Sequence, residues 1–339
     1  FSRASSATVV NKDGLIETVG SGEPRIDFKD NTKGALLLEP TRTNLINQSQ
    51  TFIGGWSKIN GVVVSGEKVT SPDGTLNASQ LVFNGTTGGR IERGITGLTQ
   101  GADYTVSVYA RVSSGTQVVN FGSVNDFEYT LTTKWQRLTR TQPENDTTAY
   151  PRFRCDDAAT IEIYAFQLEV GSYATSYIPT SGQANGVTRV ADVCNNGGNE
   201  QVINSTEGVL YAEISAFDND STAKAITISQ SSTNILGFYY YQSRIDAYVK
   251  VGTNQFFKTH YLDTTINNKI SLKYKTNDFA LWVNGVEVGS LVGSGTTPSG
   301  LNQLSFTDTG GSHFYGNVKD VRVYNTALTD AELAALTTI

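Results

Sequence analysis

Apolar and polar residues alternate along many short stretches of this chain, with the two-residue period of a β-strand. In YTVSVYARV, Tyr104, Val106, Val108, Ala110 and Val112 fall on one face, and Thr105, Ser107, Tyr109 and Arg111 on the other. One side of such a strand lies on a core and the other in solvent, as in an antiparallel sheet. In FALWVNGVEV, Phe279, Leu281 and Val283 oppose Trp282, and Asn284-Gly285 is the strongest hairpin signal in the chain. RIDAYVKV puts Ile245, Ala247, Val249 and Val251 on a core face, with Arg244, Asp246, Tyr248 and Lys250 opposite. Only the C-terminal LTDAELAALTTI reads as a helix, because Thr329 and Glu332 have capping-box spacing ahead of Leu333 and Leu336.

Turn clusters of Gly, Asn, Asp and Pro divide the pattern. Residues 1–45 hold short apolar runs between turns and read as an extended N-terminal arm with hairpins. Residues 46–180 hold a run of strands, among them GVVVS, SQLVFN, WQRLTRT and TIEIYAFQLEV. IPTSGQANGVT and NNGGNE make 181–204 a linker. Residues 205–339 return to strands, from VLYAEISAF to NVKDVRVYN. The expected fold is all-β: two antiparallel β-sandwich (jelly-roll) domains in series, an extended N-terminal arm and one short C-terminal helix. No strand–helix alternation of an α/β enzyme is present.

With 339 residues, two globular units are the first expectation, each large enough for its own core. The charged fraction is 17%, below the usual quarter, which leaves few exposed helix faces. The formal net charge is -6 without a basic cluster. That excludes a nucleic-acid partner, whose phosphates need a positive surface. No apolar run approaches the roughly 18 residues of a membrane span, so no membrane insertion is expected. The chain opens at Phe1 and holds no Met, so it is expected to be a C-terminal fragment or a processed product. Cys155 and Cys194 fall in different segments and are expected to be free thiols. His260 and His313 are too far apart in sequence to suggest a histidine metal site.

Three stretches carry resemblances to known families. RASSATVVNKDGLIETV, PRIDF and KGALLLEPTRTNLI together resemble a module of tailed-bacteriophage tail-fibre, spike and head-fibre proteins. GADYTVSVYARV, TTKWQRLT and FQLEVGSYATSYIPT resemble carbohydrate-binding-module jelly rolls. ALWVNGVEVG and GNVKDVRVYNTALTDAELAAL resemble a laminin-G or concanavalin-like lectin sandwich. The order of the three is similar to that of phage receptor-binding proteins. The resemblance implies a virion protein on a tail or capsid surface, hence extracellular. It would recognise a bacterial cell-surface glycan and meet other virion proteins through its N-terminal side. Weak single-site binding then implies multivalency, with a homotrimer as the expected assembly.

Sugar recognition needs an aromatic face for the apolar side of the ring and polar groups for the hydroxyls. Tyr239, Tyr241, Arg244, Asp246, Tyr248 and Trp282 are the expected carbohydrate-binding set, on the outer face of one sheet if their strands are neighbours. Outward tyrosines also serve as plain cross-strand partners, and Trp282 has an alternative place under the C-terminal helix. Trp56 and Trp135 sit where the jelly-roll resemblance implies core positions, and Tyr109 and Arg111 are weaker ligand candidates. Asp156 and Asp157, or Asp218 and Asp220, offer carboxylates for a possible structural Ca²⁺; no cofactor is otherwise required.

An enzyme is not expected. Retaining glycosidases need two carboxylates about 5 Å apart, whereas Glu213, Asp218 and Asp220 have the wrong spacing for one strand face. YVKVG at Tyr248 is similar to the catalytic-tyrosine strand of alginate-lyase-like jelly rolls, but their R-T-E-x-R and Q-I-H strands are missing. A tail-spike polysaccharide lyase or hydrolase and a structural virion decoration or head-fibre protein are the alternatives.

Overall fold

The computed structural model describes residues 1–29, 31–123 and 125–339. It is nearly all β, with a single helix among the described residues. Two compact units emerge, each built from separated stretches of chain. The inserted sandwich comprises Ser5–Ser21 and Thr41–Val190. The terminal sandwich comprises Phe1–Ala4, Gly22–Pro40 and Ala191–Ile339.

The inserted sandwich stacks two five-stranded antiparallel sheets. One runs Gln136–Pro143, Asp103–Val112, Ala158–Val170, Leu76–Asn84, Val63–Thr70. The other runs Phe127–Leu131, Gln117–Gly122, Arg152–Arg154, Arg90–Glu92, Ser57–Ile59. The alternation in YTVSVYARV explains the interior, since Tyr104, Val106, Val108, Ala110 and Val112 all lie in its core. Trp56 is buried there against Phe166, with ring centroids 4.7 Å apart. Trp135 is only half-buried, outside that core, and carries the Arg111 guanidinium 4.7 Å above its ring. Cys155 belongs to this unit and Cys194 to the other, and both are free thiols.

The terminal sandwich faces a seven-stranded sheet against a five-stranded one. The larger runs Val286–Val292, Asp278–Val283, Asn268–Lys275, Glu207–Ala216, Gly316–Tyr324, Ala35–Leu38, Ile26–Asp27. The smaller runs Thr253–Tyr261, Arg244–Val251, Asn234–Tyr240, Lys224–Ser229, Gln303–Ser305. Leu236, Phe238, Tyr240, Ile245, Ala247, Val249, Phe279 and Leu281 meet between them. Asn284 and Gly285 both take positive φ, 50° and 85°, between paired Val283 and Val286. This is the two-residue turn that Asn-Gly favours. The helix Asp330–Thr337 starts at a capping box of Thr329 and Glu332.

Residues 1–45 are not a separate arm. Ala7–Val10 and Ile16–Val19 form a hairpin of the inserted sandwich. Ile26–Asp27 and Ala35–Leu38 extend the seven-stranded sheet, where Leu36 to Leu38 pair with Gly316 to Val318. The stretch 181–204 is likewise more than a linker. Val187–Arg189 pairs with Arg42–Asn44, and Gly197 bridges to Leu304. The sandwiches are thus interleaved along the sequence rather than strictly successive. Strands of two to four residues have too little periodicity to reveal their partners, and those of Ala35–Leu38 and Arg42–Asn44 also lie far away in sequence.

The residues that carry the phage-module resemblance have structural places here. Arg3 and Arg25 both reach Asp192, and Arg25 also reaches Glu39 at 2.7 Å, with all four side chains buried. The Glu39 amide donates to Asp192 as well. In the inserted sandwich, Asn44 is fully buried and its side chain bonds Ile46, Phe166, Leu168 and Ile178 backbone groups. Burying charged and amide groups is tolerated only when each is paired.

Candidate functional site

The outer face of the five-stranded sheet in the terminal sandwich brings most of the expected residues together. Alternate residues of a strand share a face. Since Leu236, Phe238 and Tyr240 point inward, Tyr239 points outward; by the same rule Arg244, Asp246 and Tyr248 point outward from the next strand. Tyr239 lies directly across from Asp246, and Tyr248 directly across from Gly237. The Tyr239 and Tyr248 rings meet at 6.1 Å with a tilt of 54°. Tyr241 follows the strand end, in the turn, with the Arg244 guanidinium 4.8 Å above its ring.

Gly237 shapes the floor. A Cβ there would collide with the Ile226 carbonyl and with Thr227. Only glycine lets the two strands approach this closely, and it leaves no side chain between the Tyr248 ring and the next strand.

Asp246 is the electrostatic centre. It is fully buried, yet Arg244 binds it at 2.9 Å and Thr259 donates to it at 2.5 Å. Burial pushes the Tyr239 hydroxyl above the ordinary phenol range, assisted by the charge of Asp246 and a hydrogen bond to it. Burial also pushes Tyr248 well up, helped by the nearby negative charge of Asp308. Both phenols are therefore neutral near pH 7 and able to donate and accept hydrogen bonds. Asp308 is held by the amides of Gly310 and Ser312.

Trp282 is not part of this face. Its strand belongs to the seven-stranded sheet, where it packs with Val209, Ala280 and Leu333 under the C-terminal helix and is 8% exposed. A strand's outward face can be a second buried surface when a helix covers it, and alternation alone does not separate the two cases.

Thr259 and Asp308 escaped the sequence reading. Thr259 lies in TNQFFKTHY, whose alternation is broken by a bulge between the pairs Val249–Phe256 and Lys250–Asn254. Asp308 lies in a loop that reaches the face only through the tertiary fold. Phe257 and Tyr261, 51% and 75% exposed, were likewise not singled out.

The candidate Ca²⁺ carboxylates are already occupied by other partners. Arg154 binds both oxygens of Asp156, at 2.9 and 2.6 Å, and Asp157 accepts from Gln117. Lys224 stands between Asp218 and Asp220, at 3.0 and 2.6 Å. A cation at either place would displace a cationic side chain. Among the described residues no group of three or more His, Cys, Asp or Glu is arranged to hold a metal ion.

Elsewhere in the terminal sandwich, Glu200 and Gln201 separate two open grooves of about 440 and 480 Å³. Their walls are chiefly amides and small residues without an aromatic ring. The tyrosine face has both rings and polar groups. Among the described residues no helix is long and apolar enough to cross a membrane.

Residues 212–334 match the family described as the Concanavalin A-like lectin/glucanases superfamily. No curated protein matches the chain. Among solved structures, the carbohydrate-binding module of Ruminococcus gnavus IT-sialidase bound to α2,3-sialyllactose is 14% identical with a TM-score of 0.36. That likeness covers 43% of this chain and 94% of the other. A xylan-binding domain from Paenibacillus barcinonensis is 14% identical, with 39% and 94% coverage and a TM-score of 0.30. The LG4-5 domains of mouse laminin α1 are 10% identical, with 85% and 95% coverage and a TM-score of 0.30. Identities and TM-scores at this level do not place the chain in any of those families.

Proposed function

We propose that the protein is a non-catalytic adhesin that binds glycan through the outer face of the five-stranded sheet in its terminal sandwich. The observation that carries this reading is the Tyr239–Tyr248 pair beside the Arg244–Asp246 ion pair. Two neutral phenol rings offer apolar faces to sugar C–H groups, and their hydroxyls, with Arg244 and Thr259, supply hydrogen-bond partners. The match of residues 212–334 to a superfamily of lectins and glucanases supports the glycan-binding part of this reading.

The absence of catalysis is part of the proposal. A lyase would need Tyr248 to act as a base, and burial and Asp308 raise its pKa, the wrong direction for taking a proton near neutral pH. Asp246 is engaged by Arg244 and Thr259, and so is badly placed to attack or protonate a sugar.

In its finer form the proposal is a phage tail-fibre or receptor-binding protein that recognises a bacterial surface polysaccharide, works as a homotrimer and joins other virion proteins through its N-terminal side. The resemblance of residues 1–45 to phage fibre modules supports that setting. Multivalency would turn weak single-site binding into firm attachment.

The test is a glycan array and whole-cell binding assay, with reducing ends of any bound polysaccharide followed in parallel. Binding without cleavage, lost in Tyr239→Ala and Tyr248→Ala, is expected. Cleavage would overturn the non-catalytic reading. Absence of both binding and cleavage would leave the structural virion role in its place.

A further inference from the structure

We propose that the tyrosine face holds an internal stretch of an uncharged polysaccharide chain, gripped at two aromatic subsites on either side of Asp246, rather than one terminal sugar. The inference rests on the glycan-binding reading above and adds residues to it.

The edge strand Thr253–Tyr261 supplies them. Phe257 lies directly across from Tyr248, and Tyr261 directly across from Arg244. Thr259, between them, donates to Asp246, and this fixes the side to which all three point. Phe256 turns the other way, into the core, where it stacks on Phe279. The sandwich therefore has its apolar anchor on this strand already. Phe257 and Tyr261, 51% and 75% exposed, add rings to the outer surface.

The rings form two groups. Phe257 and Tyr248, with Tyr239 beside them, make one; Tyr261 and Tyr241, with Arg244 over the latter, make the other. Four residues along a strand separate Phe257 from Tyr261, which is about 13 Å. A single pyranose ring is much shorter and cannot touch both. A run of linked sugars can, with its hydroxyls over Thr259 between the groups, where the buried Asp246 anchors the threonine.

The charges select among chains. Arg244 and Asp246 balance each other, as do Lys250, outward on the same strand, and Asp308, beside Tyr248. A sulfated, phosphorylated or uronic-acid chain finds no net attraction there to offset the desolvation of its charges, whereas a neutral chain has none to desolvate.

The test is titration calorimetry of the full chain with linear gluco-, xylo- and manno-oligosaccharides of one to six units, and with alginate oligomers as the anionic comparison. Affinity is expected to rise at least about tenfold from the shortest to the longest binding member of one neutral series. Phe257→Ala and Tyr261→Ala should each remove about tenfold of the hexamer's affinity and little of the disaccharide's. Tyr248→Ala should weaken both. Because both edge residues are exposed, melting temperatures should match the parent chain, and Phe257→Tyr should keep the length effect. A monomer that binds as tightly as the hexamer, hexamer affinity unchanged in both edge variants, or preference for alginate would overturn the inference while a Tyr248 effect left glycan binding in place. No binding of any oligomer would overturn both.

Discussion

Arg25 and Asp192 are 167 residues apart in sequence, yet their side chains form an ion pair with no exposure to solvent. Arg3 and Glu39 complete the cluster. Removing one member leaves the others charged and out of water. Asp192→Ala is expected to destabilise the terminal sandwich by about 3–5 kcal/mol. Urea unfolding with a probe in that unit, such as Trp282 fluorescence, would show the shift. A change below about 1 kcal/mol would mean that water reaches the cluster.

Trp282 and Tyr248 should behave in opposite ways. Trp282→Ala opens a cavity under the C-terminal helix and is expected to cost about 3–5 kcal/mol. Its Nε1 is buried without a hydrogen-bond partner, so Trp282→Phe should cost much less. Where folded, both variants should bind glycan as the parent does. Thermal melts paired with binding isotherms decide this, and a binding loss in folded Trp282→Phe would return that residue to the site.

The phenols of the site give a pH prediction. Burial raises the Tyr239 and Tyr248 pKa values in the folded protein, so the stability they contribute is complete below about pH 10 and is lost as the pH rises beyond it. Binding should be flat from neutral to mildly alkaline pH. Phenolate absorbance, compared between the parent and Tyr248→Phe, should show that Tyr248 ionises late. An early-titrating Tyr248 would revive the lyase alternative.

At acid pH the inserted sandwich has its own sensitive point. Asp73 is partly buried, but bonds from Thr75, Asn77, Tyr164 and Ser71 outweigh that and hold its carboxyl well below the usual range. A depressed pKa means stability that is present above about pH 3.9 and is lost as the pH falls below it. Asp73→Asn should therefore melt lower than the parent at pH 7, with the gap narrowing in acid. A constant gap would show that the geometry of the side chain matters and its charge does not.

How much of this was legible in the sequence depends on how local the signal is. The core face of YTVSVYARV, the Asn284-Gly285 turn and the Thr329 cap are read from neighbouring residues, and each stands as expected. The other face of that strand was expected in solvent, yet Thr105 and Ser107 are buried there, under a second covering that alternation does not reveal. The outward set Tyr239, Arg244, Asp246 and Tyr248 followed from alternation, because those strands pair with each other without a break. Trp282 was placed in the site because the face opposite Phe279, Leu281 and Val283 was read as outward, whereas it is a second buried surface. The hairpins of residues 1–45 stand, but their membership of the two sandwiches was missed because Ala35–Leu38 and Arg42–Asn44 pair with strands far along the chain. Asp308 and Thr259 depend on a loop and a bulge, neither of which has a periodic signature.

The strand Ala35–Leu38 has a consequence for how such proteins can exchange parts. It lies beside Gly316–Tyr324 and covers that strand's open side. A gene segment beginning at residue 205 would encode a lectin-like sandwich with a raw sheet edge, inviting edge-to-edge aggregation. It would also leave behind Arg3, Arg25, Glu39 and Asp192. Recombination therefore cannot treat residues 205–339 as a cassette; the unit of exchange includes residues 1–4 and 22–40 as well.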